Sequence, residues 1–236
     1  MLISYDKWKI NLLNLNVLSL MKLIRYIKIS NYYLDKILYC LYKKNITNIN
    51  NIKTDGKNSI ELVAIPNSKN HYTLCLSSQL GCALQCSFCY TGTQGFKRNL
   101  MPYEIINQVL QAVKRIMFIF KTKKITNIVF IGMGEPLLNI KNLLVSINVI
   151  TNKYTYNINV NKITISTSGI IPGIKILVSH NIPLALSLHA AKDELRTQLM
   201  PINKKYSIVK LLEEYKKIAC NNKLTIEYVM LKNVND

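Results

Sequence analysis

From about residue 60 onward, short runs of β-branched and apolar residues alternate with segments of helical periodicity. This alternation favours a parallel sheet with helices packed on its faces. The predicted strands are 60–65, 72–77, 125–132, 163–167, 184–188 and 224–231, and the predicted helices are 102–120, 139–152, 172–179 and 208–220. In barrels and in doubly wound sheets built from such units, the chemistry lies at the carboxyl ends of the strands. The chain is therefore expected to be an α/β protein with its site at that edge of the sheet.

The first 60 residues have a different pattern. No Gly or Pro occurs in residues 1–50, and apolar positions at helical spacing predict amphipathic helices at about 7–28 and 31–44. An Asn- and Lys-rich stretch at 45–58 is the candidate linker. We therefore expect a helical accessory region at 1–60 and a core at 61–236. Asp6 and the lack of Arg and Ser enrichment argue against a transit peptide.

The formal net charge of +19 suits a polyanionic partner such as RNA. Almost all of that charge is Lys, and the chain is also rich in Asn and Ile. A base-composition bias in the genome would produce the same three residues, so charge alone leaves both interpretations open.

The chain contains six cysteines and no recognisable signal peptide, and its length does not suggest a disulfide framework. We expect a cytoplasmic protein whose clustered thiols bind metal. Cys40 lies among apolar neighbours and is expected to be a buried structural thiol. No 18-residue window is free of charged and polar residues, so no membrane span and no membrane partner are expected.

Three of the cysteines, Cys82, Cys86 and Cys89, have the spacing C-x3-C-x2-C. A [4Fe–4S] cluster normally takes four cysteine ligands, so three would leave one iron open. An open iron on a reducing cluster is what S-adenosylmethionine (SAM) needs for one-electron cleavage, and the spacing resembles that of radical-SAM enzymes. The alternative is a zinc knuckle that lacks its fourth ligand; the nearest candidates, His71 and Cys75, stand at no usual zinc spacing.

Small and polar residues follow the predicted strands. The run 131–136 contains Gly134 and Glu135, whose carbonyl and carboxylate oxygens could hold an ammonium group. Ser166 ends the next strand, and Ser187 and His189 end the one after. Because parallel strand ends share one edge, these groups are expected to line one crevice, where they suit hydrogen bonds to a ribose or a carboxylate.

Together these runs resemble the dual-specificity RNA methyltransferases that methylate C2 of adenine in large-subunit ribosomal RNA and in transfer RNA. The similarity extends from about residue 61 to 236. It is carried by CLSSQLGCALQCSFC (75–89), QGFKRNL (94–100), GMGEPLLN (132–139), STSG (166–169), SLHA (187–190), PINKKY (201–206) and TIEYVML (225–231).

The resemblance implies a partial (β/α) barrel of the radical-SAM type with a small N-terminal helical appendage. It also implies that one SAM methylates an enzyme cysteine and a second SAM supplies the radical that activates this methyl group. The implied partners are ribosomal RNA and tRNA, with an electron donor such as flavodoxin or ferredoxin. In the implied site, the cluster ligands are Cys82, Cys86 and Cys89, the SAM contacts are Gly134, Glu135, Ser166, Ser187, Leu188 and His189, the resolving cysteine is Cys75, and the proton acceptor is Glu61.

This sequence departs from the family pattern in several places. The family has a sixth strand with a SAM-binding Asn, followed by the methyl-carrying cysteine, and both are expected beyond residue 236. Cys220 cannot be assumed to replace that cysteine. The spacing between Pro66 and Cys75 is one residue longer than usual. Two alternatives stay open: another radical-SAM reaction, or a non-catalytic iron–sulfur RNA-binding remnant.

Overall fold

The computed structural model describes residues 2–5, 8–11, 60–68, 71–120, 124–219 and 224–236. At the amino terminus, β1 (Leu2–Tyr5) and β2 (Trp8–Asn11) pair antiparallel. The helix predicted to start at residue 7 is therefore wrong for 8–11, because the backbone of these residues pairs with β1 and is not available for helical bonds. The rest of that helix, the helix at 31–44 and Cys40 lie outside the described residues.

The core elements alternate as expected, and several short elements were not predicted. In chain order they are β3 (Val63–Ser68), β4 (His71–Leu76), β5 (Gln79–Gly81), α1 (Tyr90–Thr93), β6 (Phe96–Asn99), α2 (Pro102–Phe120), β7 (Lys124–Phe130), α3 (Ile140–Thr151), β8 (Ile163–Thr167), α4 (Ile171–Ser179), β9 (Leu184–Ser187), α5 (Asp193–Leu199), α6 (Ile208–Ala219) and β10 (Leu224–Glu227). Short 3-10 turns lie at Pro136–Asn139, Val160–Lys162 and Pro201–Lys204. The predictions missed the β5–β6 hairpin and helices α1 and α5.

The main sheet has the order β10-β9-β8-β7-β4-β3. The five strands from β10 to β4 are parallel to their neighbours, and β3 pairs antiparallel with β4 at the edge. The predicted α/β class and its parallel sheet are confirmed. Among the described residues, no helix is both long and apolar enough to cross a membrane.

The two faces of the sheet carry different side chains because successive residues of a strand point to opposite sides. The face that packs on the helices is fully buried and apolar: Leu74, Leu76, Ile128, Phe130, Ile163, Ile165, Leu184 and Leu186. The opposite face carries smaller and more polar residues: Thr73, Cys75, Thr164, Ser166, Ala185, Ser187 and Glu227. The polar face is therefore the one that can hold a ligand.

Helix α2 begins where the sequence predicts. Pro102 takes the first helical position, where its missing N–H costs no hydrogen bond. The Glu104 carboxylate accepts a hydrogen bond from the Met101 N–H at 2.8 Å, which is half of a capping box. Arg98 donates to both oxygens of Glu104 at 2.7 and 2.9 Å and so ties strand β6 to this helix.

Two strands end earlier than predicted. Strand β7 ends at Phe130 and β10 ends at Glu227, whereas the apolar runs extend to Gly132 and Leu231. After Phe130 the chain turns back across the carboxyl ends of the strands, and the Gly132 N–H bonds to the Leu76 carbonyl at 3.0 Å. These residues therefore form the wall of a cavity rather than extending the sheet.

Candidate cofactor-binding site

A cavity of about 490 Å³ lies at the carboxyl ends of the parallel strands. The cysteine loop forms one wall, and the residues that follow β7, β8, β9 and β10 form the rest. Of the predicted site residues, the cavity brings together Cys82, Cys86, Cys89, Gly134, Glu135, Ser166, Ser187 and His189.

The cysteine loop is the connection between β5 and β6, and backbone hydrogen bonds fix its shape. The Cys82 N–H bonds to the Gly95 carbonyl at 3.1 Å, and the Cys89 N–H bonds to the Cys86 carbonyl at 3.0 Å. The Ser87 N–H reaches across to the Leu199 carbonyl at 2.9 Å, which attaches the loop to the end of α5. These backbone hydrogen bonds fix the path of the loop and hold it against the rest of the core.

The three thiols of the loop are partly buried and lie close enough to influence one another electrostatically. Burial, the neighbouring thiols of Cys82 and Cys89, and the Glu135 carboxylate together raise the pKa of Cys86 to about 12, while the Arg196 guanidinium opposes the shift. Burial likewise raises the pKa of Cys82. Closely spaced thiolates that repel one another are stable only with a cation between them, so this wall suits a positively charged inorganic centre.

The three loop thiols line one cavity. Among the residues that the structure describes, no three His, Cys, Asp or Glu side chains form a group able to hold a metal ion. In a cubane each cysteine binds a different iron, so the thiols need only line the same cavity, and these three do.

Glu135 lies at the base of the cavity and is 3% exposed. Its Oε1 accepts hydrogen bonds from the Leu137 N–H at 3.1 Å and the Thr167 hydroxyl at 2.7 Å, and its Oε2 accepts from the Ser168 N–H at 2.8 Å. Burial raises the pKa of this carboxyl, and the three donors oppose the rise. A carboxylate offers about four acceptor positions, so Oε2 keeps capacity for a donor from a ligand.

Gly134 gives the backbone the conformation that places Glu135 in the cavity. Its φ is +93°, and a Cβ there would lie 2.3 Å from the Cβ of Gln79. Gln79 cannot move without loss, because its Oε1 accepts from the Glu135 N–H at 2.9 Å and its Nε2 donates to Asn99 at 2.7 Å. The positive φ and the close approach of the Gly134 backbone to the Gln79 side chain therefore require glycine here.

Gly134→Ala is expected to lower the free energy of unfolding by about 1–3 kcal/mol, since it combines backbone strain with a clash. The measurement is urea unfolding. The matched control is Gly95→Ala, where φ is +68° but nothing lies within 4 Å of an added Cβ, so only the backbone strain is introduced. Equal losses in the two variants would contradict a role for the Gln79 contact.

Three strand ends meet at a carboxylate. Oε2 of Glu227, the last residue of β10, accepts hydrogen bonds from the Ser166 hydroxyl at 2.5 Å and the Ser187 hydroxyl at 3.0 Å. The two hydroxyl oxygens lie 3.4 Å apart. The Glu227 carbonyl also accepts from the Leu188 N–H at 3.0 Å. All three side chains line the cavity.

His189 is held rigidly at the end of β9 with φ at +57°. Its Nδ1 accepts a hydrogen bond from the Val229 N–H at 3.0 Å, and its carbonyl accepts from Asn235 at 2.7 Å. Burial lowers the pKa of the imidazole, which favours the neutral ring. Because Nδ1 is an acceptor, the ring proton lies on Nε2. Phe88 of the cysteine loop contacts this ring edge-to-face with centroids 5.0 Å apart.

Arg196 supports the same wall from behind and is fully buried. Its guanidinium donates to the Leu188 carbonyl at 3.0 Å, to the Ser168 carbonyl at 2.8 Å and to the Ser187 carbonyl at 3.1 Å. The remaining arm donates to the Asn203 side chain at 2.7 Å. One side chain therefore ties the ends of β8 and β9 together.

Three predicted site residues do not line this cavity. Leu188 has both backbone polar groups engaged within the fold, with Glu227 and Arg196. Cys75 lies on β4, paired with Val63 and Val129, on the sheet face that also carries Ser166; burial raises the pKa of its thiol.

Glu61 precedes β3, and its side chain is exposed. Its carbonyl accepts a hydrogen bond from the Ser77 hydroxyl at 2.8 Å. That bond holds the segment before β3 beside the end of β4, the strand that carries Cys75.

Two residues of this site were not predicted from the sequence. Glu227 falls inside the recognised run 225–231, but the predicted strand continues to residue 231, so no predicted strand end marked it. Arg196 had no local signal, because its acceptors come from strand ends up to 28 residues away.

The residues from 76 to 236 match the family model described as the radical SAM superfamily. The chain is 45% identical over 233 residues to the dual-specificity RNA methyltransferase RlmN of Buchnera aphidicola subsp. Acyrthosiphon pisum, covering 95% of this chain and 62% of that protein. It is 51% identical over 193 residues to RlmN of Wigglesworthia glossinidia brevipalpis, covering 78% of this chain and 50% of that protein.

The fold matches the crystal structure of a radical SAM methyltransferase from Sphaerobacter thermophilus with a TM-score of 0.85 and 28% identity. That match covers 96% of this chain and 78% of the other. The family is one that uses a [4Fe–4S] cluster and SAM, and the family match extends over most of the chain, including all three loop cysteines and every strand end of the cavity. The chain therefore belongs to the radical SAM superfamily.

Proposed function

We propose that this chain provides the radical-SAM core of an RNA methyltransferase that methylates C2 of adenine in ribosomal RNA and tRNA. The observation that carries the proposal is the cavity in which the cysteine loop faces the polar ends of four parallel strands. The similarity to the RlmN proteins of two organisms supports the choice of RNA as substrate. The chain spans about 62% and 50% of the lengths of those two relatives.

The proposal includes the architecture. Residues 61–236 form the core, a partial (β/α) barrel of the radical-SAM type, and residues 1–60 form an accessory region. The parallel sheet and the likeness to the Sphaerobacter structure support the barrel. Thiols stay reduced, and so stay able to bind metal, in a reducing compartment. The three loop thiols therefore support a site of action in the cytoplasm.

In the proposed site, Cys82, Cys86 and Cys89 would hold a [4Fe–4S] cluster, which would supply the electron for reductive cleavage of SAM. The carboxylate of Glu135, kept in place by three donors, accepts from the SAM ammonium group, and Gly134 lets the backbone approach it. Ser166, Ser187, Leu188 and His189 contact the rest of the molecule, and the walls exclude water from a reactive species.

The catalytic roles of Cys75 and Glu61 follow from the family resemblance. Cys75 would resolve the covalent protein–RNA adduct, and Glu61 would accept the proton that leaves the adenine. Cys75 shares its sheet face with Ser166, and the backbone of Glu61 is bonded beside the end of the strand that carries Cys75. The arrangement supports a position for the target adenine between the cavity and β4.

The rim of the cysteine loop suits an RNA partner. Tyr90 is 77% exposed, and Phe96 is also exposed. Lys97 follows Phe96 on the surface. Exposed aromatic rings stack on unpaired bases and basic side chains contact phosphates, so this rim supports recognition of a single-stranded loop. A flavodoxin or ferredoxin is proposed as the electron donor.

The proposal predicts that anaerobic reconstitution gives about four iron and four sulfide per chain, and that the reduced protein cleaves SAM to 5′-deoxyadenosine. It further predicts that cells lacking the gene lose 2-methyladenosine from ribosomal RNA or tRNA, as measured by mass spectrometry. SAM cleavage with unchanged 2-methyladenosine would indicate a different radical-SAM reaction. Cluster assembly without SAM cleavage would favour a non-catalytic remnant. Stoichiometric zinc would contradict every hypothesis in which the chain is a radical-SAM enzyme.

A further inference from the structure

The carboxylate of Glu227 gives one end of the cavity a strong preference for hydrogen-bond donors. A carboxylate only accepts hydrogen bonds. The hydroxyls of Ser166 and Ser187 must therefore both donate to Glu227 Oε2, which uses their single protons. What each serine oxygen still offers to a ligand is acceptor capacity. Three side chains from three strands thus present only acceptors to the cavity.

A ligand that fits such a wall must carry donors of its own. Three groups of SAM do so: the ammonium of its amino acid part, the vicinal hydroxyls of its ribose and the exocyclic amine of its adenine. The carboxylate and phosphate groups of other ligands would be repelled by Glu227.

The order of the strands distinguishes these groups. Glu135 follows β7 and has an electrostatic influence on both Cys82 and Cys86. Glu227 ends β10, which the sheet order β10-β9-β8-β7 separates from β7 by two strands. With adjacent strands about 4.8 Å apart, the two carboxylates serve different parts of one extended ligand. The ammonium belongs beside Glu135 and the cysteine loop. At the far end, the paired hydroxyls of the ribose match the adjacent acceptors of Glu227, Ser166 and Ser187 better than the single amine of the adenine does.

We propose that Glu227 is a ligand-binding residue that accepts hydrogen bonds from the ribose 2′,3′-diol of the adenosyl group, with Ser166 and Ser187 oriented by the same carboxylate. This inference rests on the proposed use of SAM and assigns a role to Glu227, which is not among the site residues predicted from the sequence. A carboxylate at a strand end that binds a ribose hydroxyl is also the solution used in dinucleotide-binding sheets.

The test is a thermodynamic cycle that combines one variant with two ligand analogues and measures binding alone, without turnover. Reconstituted wild-type chain and Glu227→Gln are titrated calorimetrically with S-adenosylhomocysteine and with its 2′-deoxy and 3′-deoxy analogues. A hydrogen bond to a charged group predicts that Glu227→Gln weakens binding of the parent ligand by about 10-fold or more. In the wild type, loss of a contacted hydroxyl should cost a similar factor. In Glu227→Gln, the same deletion should cost a smaller factor than in the wild type, because a neutral amide oxygen is a weaker acceptor than a carboxylate.

The control variant is Glu213→Gln, which removes an exposed carboxylate on α6 and should bind all three ligands as the wild type does. If Glu227 only supports the fold, both analogues will lose the same factor in the wild type and in Glu227→Gln, and that result overturns the inference while leaving SAM binding intact. A wild type that binds neither SAM nor S-adenosylhomocysteine overturns the proposed function and this inference with it. A folded Glu227→Gln with unchanged affinity for the parent ligand also overturns the inference.

Discussion

Cys86→Ser is expected to reduce the iron content after anaerobic reconstitution from about four to less than about one per chain. A cluster held by three protein thiolates has no spare ligand, and a serine hydroxyl stays protonated where a thiol would ionise. The loss of iron should be nearly complete for this variant, because Cys86 is partly buried and lies close enough to Cys82 and Cys89 to influence them electrostatically. Iron and sulfide assays, visible absorption and electron paramagnetic resonance measure the outcome.

The matched control is Cys75→Ser. Cys75 is also partly buried, and burial also raises its pKa, but it lies on β4 and does not line the cavity. This variant should assemble a full cluster and cleave SAM as the wild type does. Full iron content in Cys86→Ser, or lost iron in Cys75→Ser, would contradict the assignment of the cluster to the loop.

Arg196→Met is expected to lower the free energy of unfolding by about 3–5 kcal/mol. Methionine retains much of the volume but supplies no donor, so it leaves three partly buried backbone carbonyls and the buried Asn203 side chain without the guanidinium. A loss of that size is a large fraction of the 5–15 kcal/mol that stabilises a typical domain. Urea unfolding followed by circular dichroism gives the value.

Arg196→Lys should recover only part of this loss, because one ammonium cannot reach acceptors on two strand ends and on Asn203 together. The control is Arg115→Met on the exposed side of α2, which should change the free energy of unfolding by no more than about 0.5 kcal/mol. At a urea concentration where Arg196→Met is still folded, its affinity for S-adenosylhomocysteine should also fall, since the ends of β8 and β9 are no longer aligned. A variant as stable as the wild type would show that water or rearranged side chains satisfy the carbonyls.

The regular elements could be predicted where one segment carries its own signal. Helix α2 begins at Pro102 and β8 spans Ile163–Thr167, both as predicted. The short helix α5 was missed because its seven residues contain little apolar periodicity, and one of its two buried residues is an arginine. The β5–β6 hairpin was missed because its strands have three and four residues and are separated by the whole cysteine loop.

The sequence alone determined the chemistry that could be present. Three thiols within eight residues indicate an iron–sulfur centre, and glycine, glutamate and serine after predicted strands indicate a polar edge. Only the tertiary structure decided which of these groups meet. Ser166 and Glu227 are 61 residues apart, and their contact exists because β8, β9 and β10 are neighbours in the sheet. Residue spacing governs contacts within one element, whereas long-range contacts depend on the order in which strands pair, and that order is fixed by packing of the whole core.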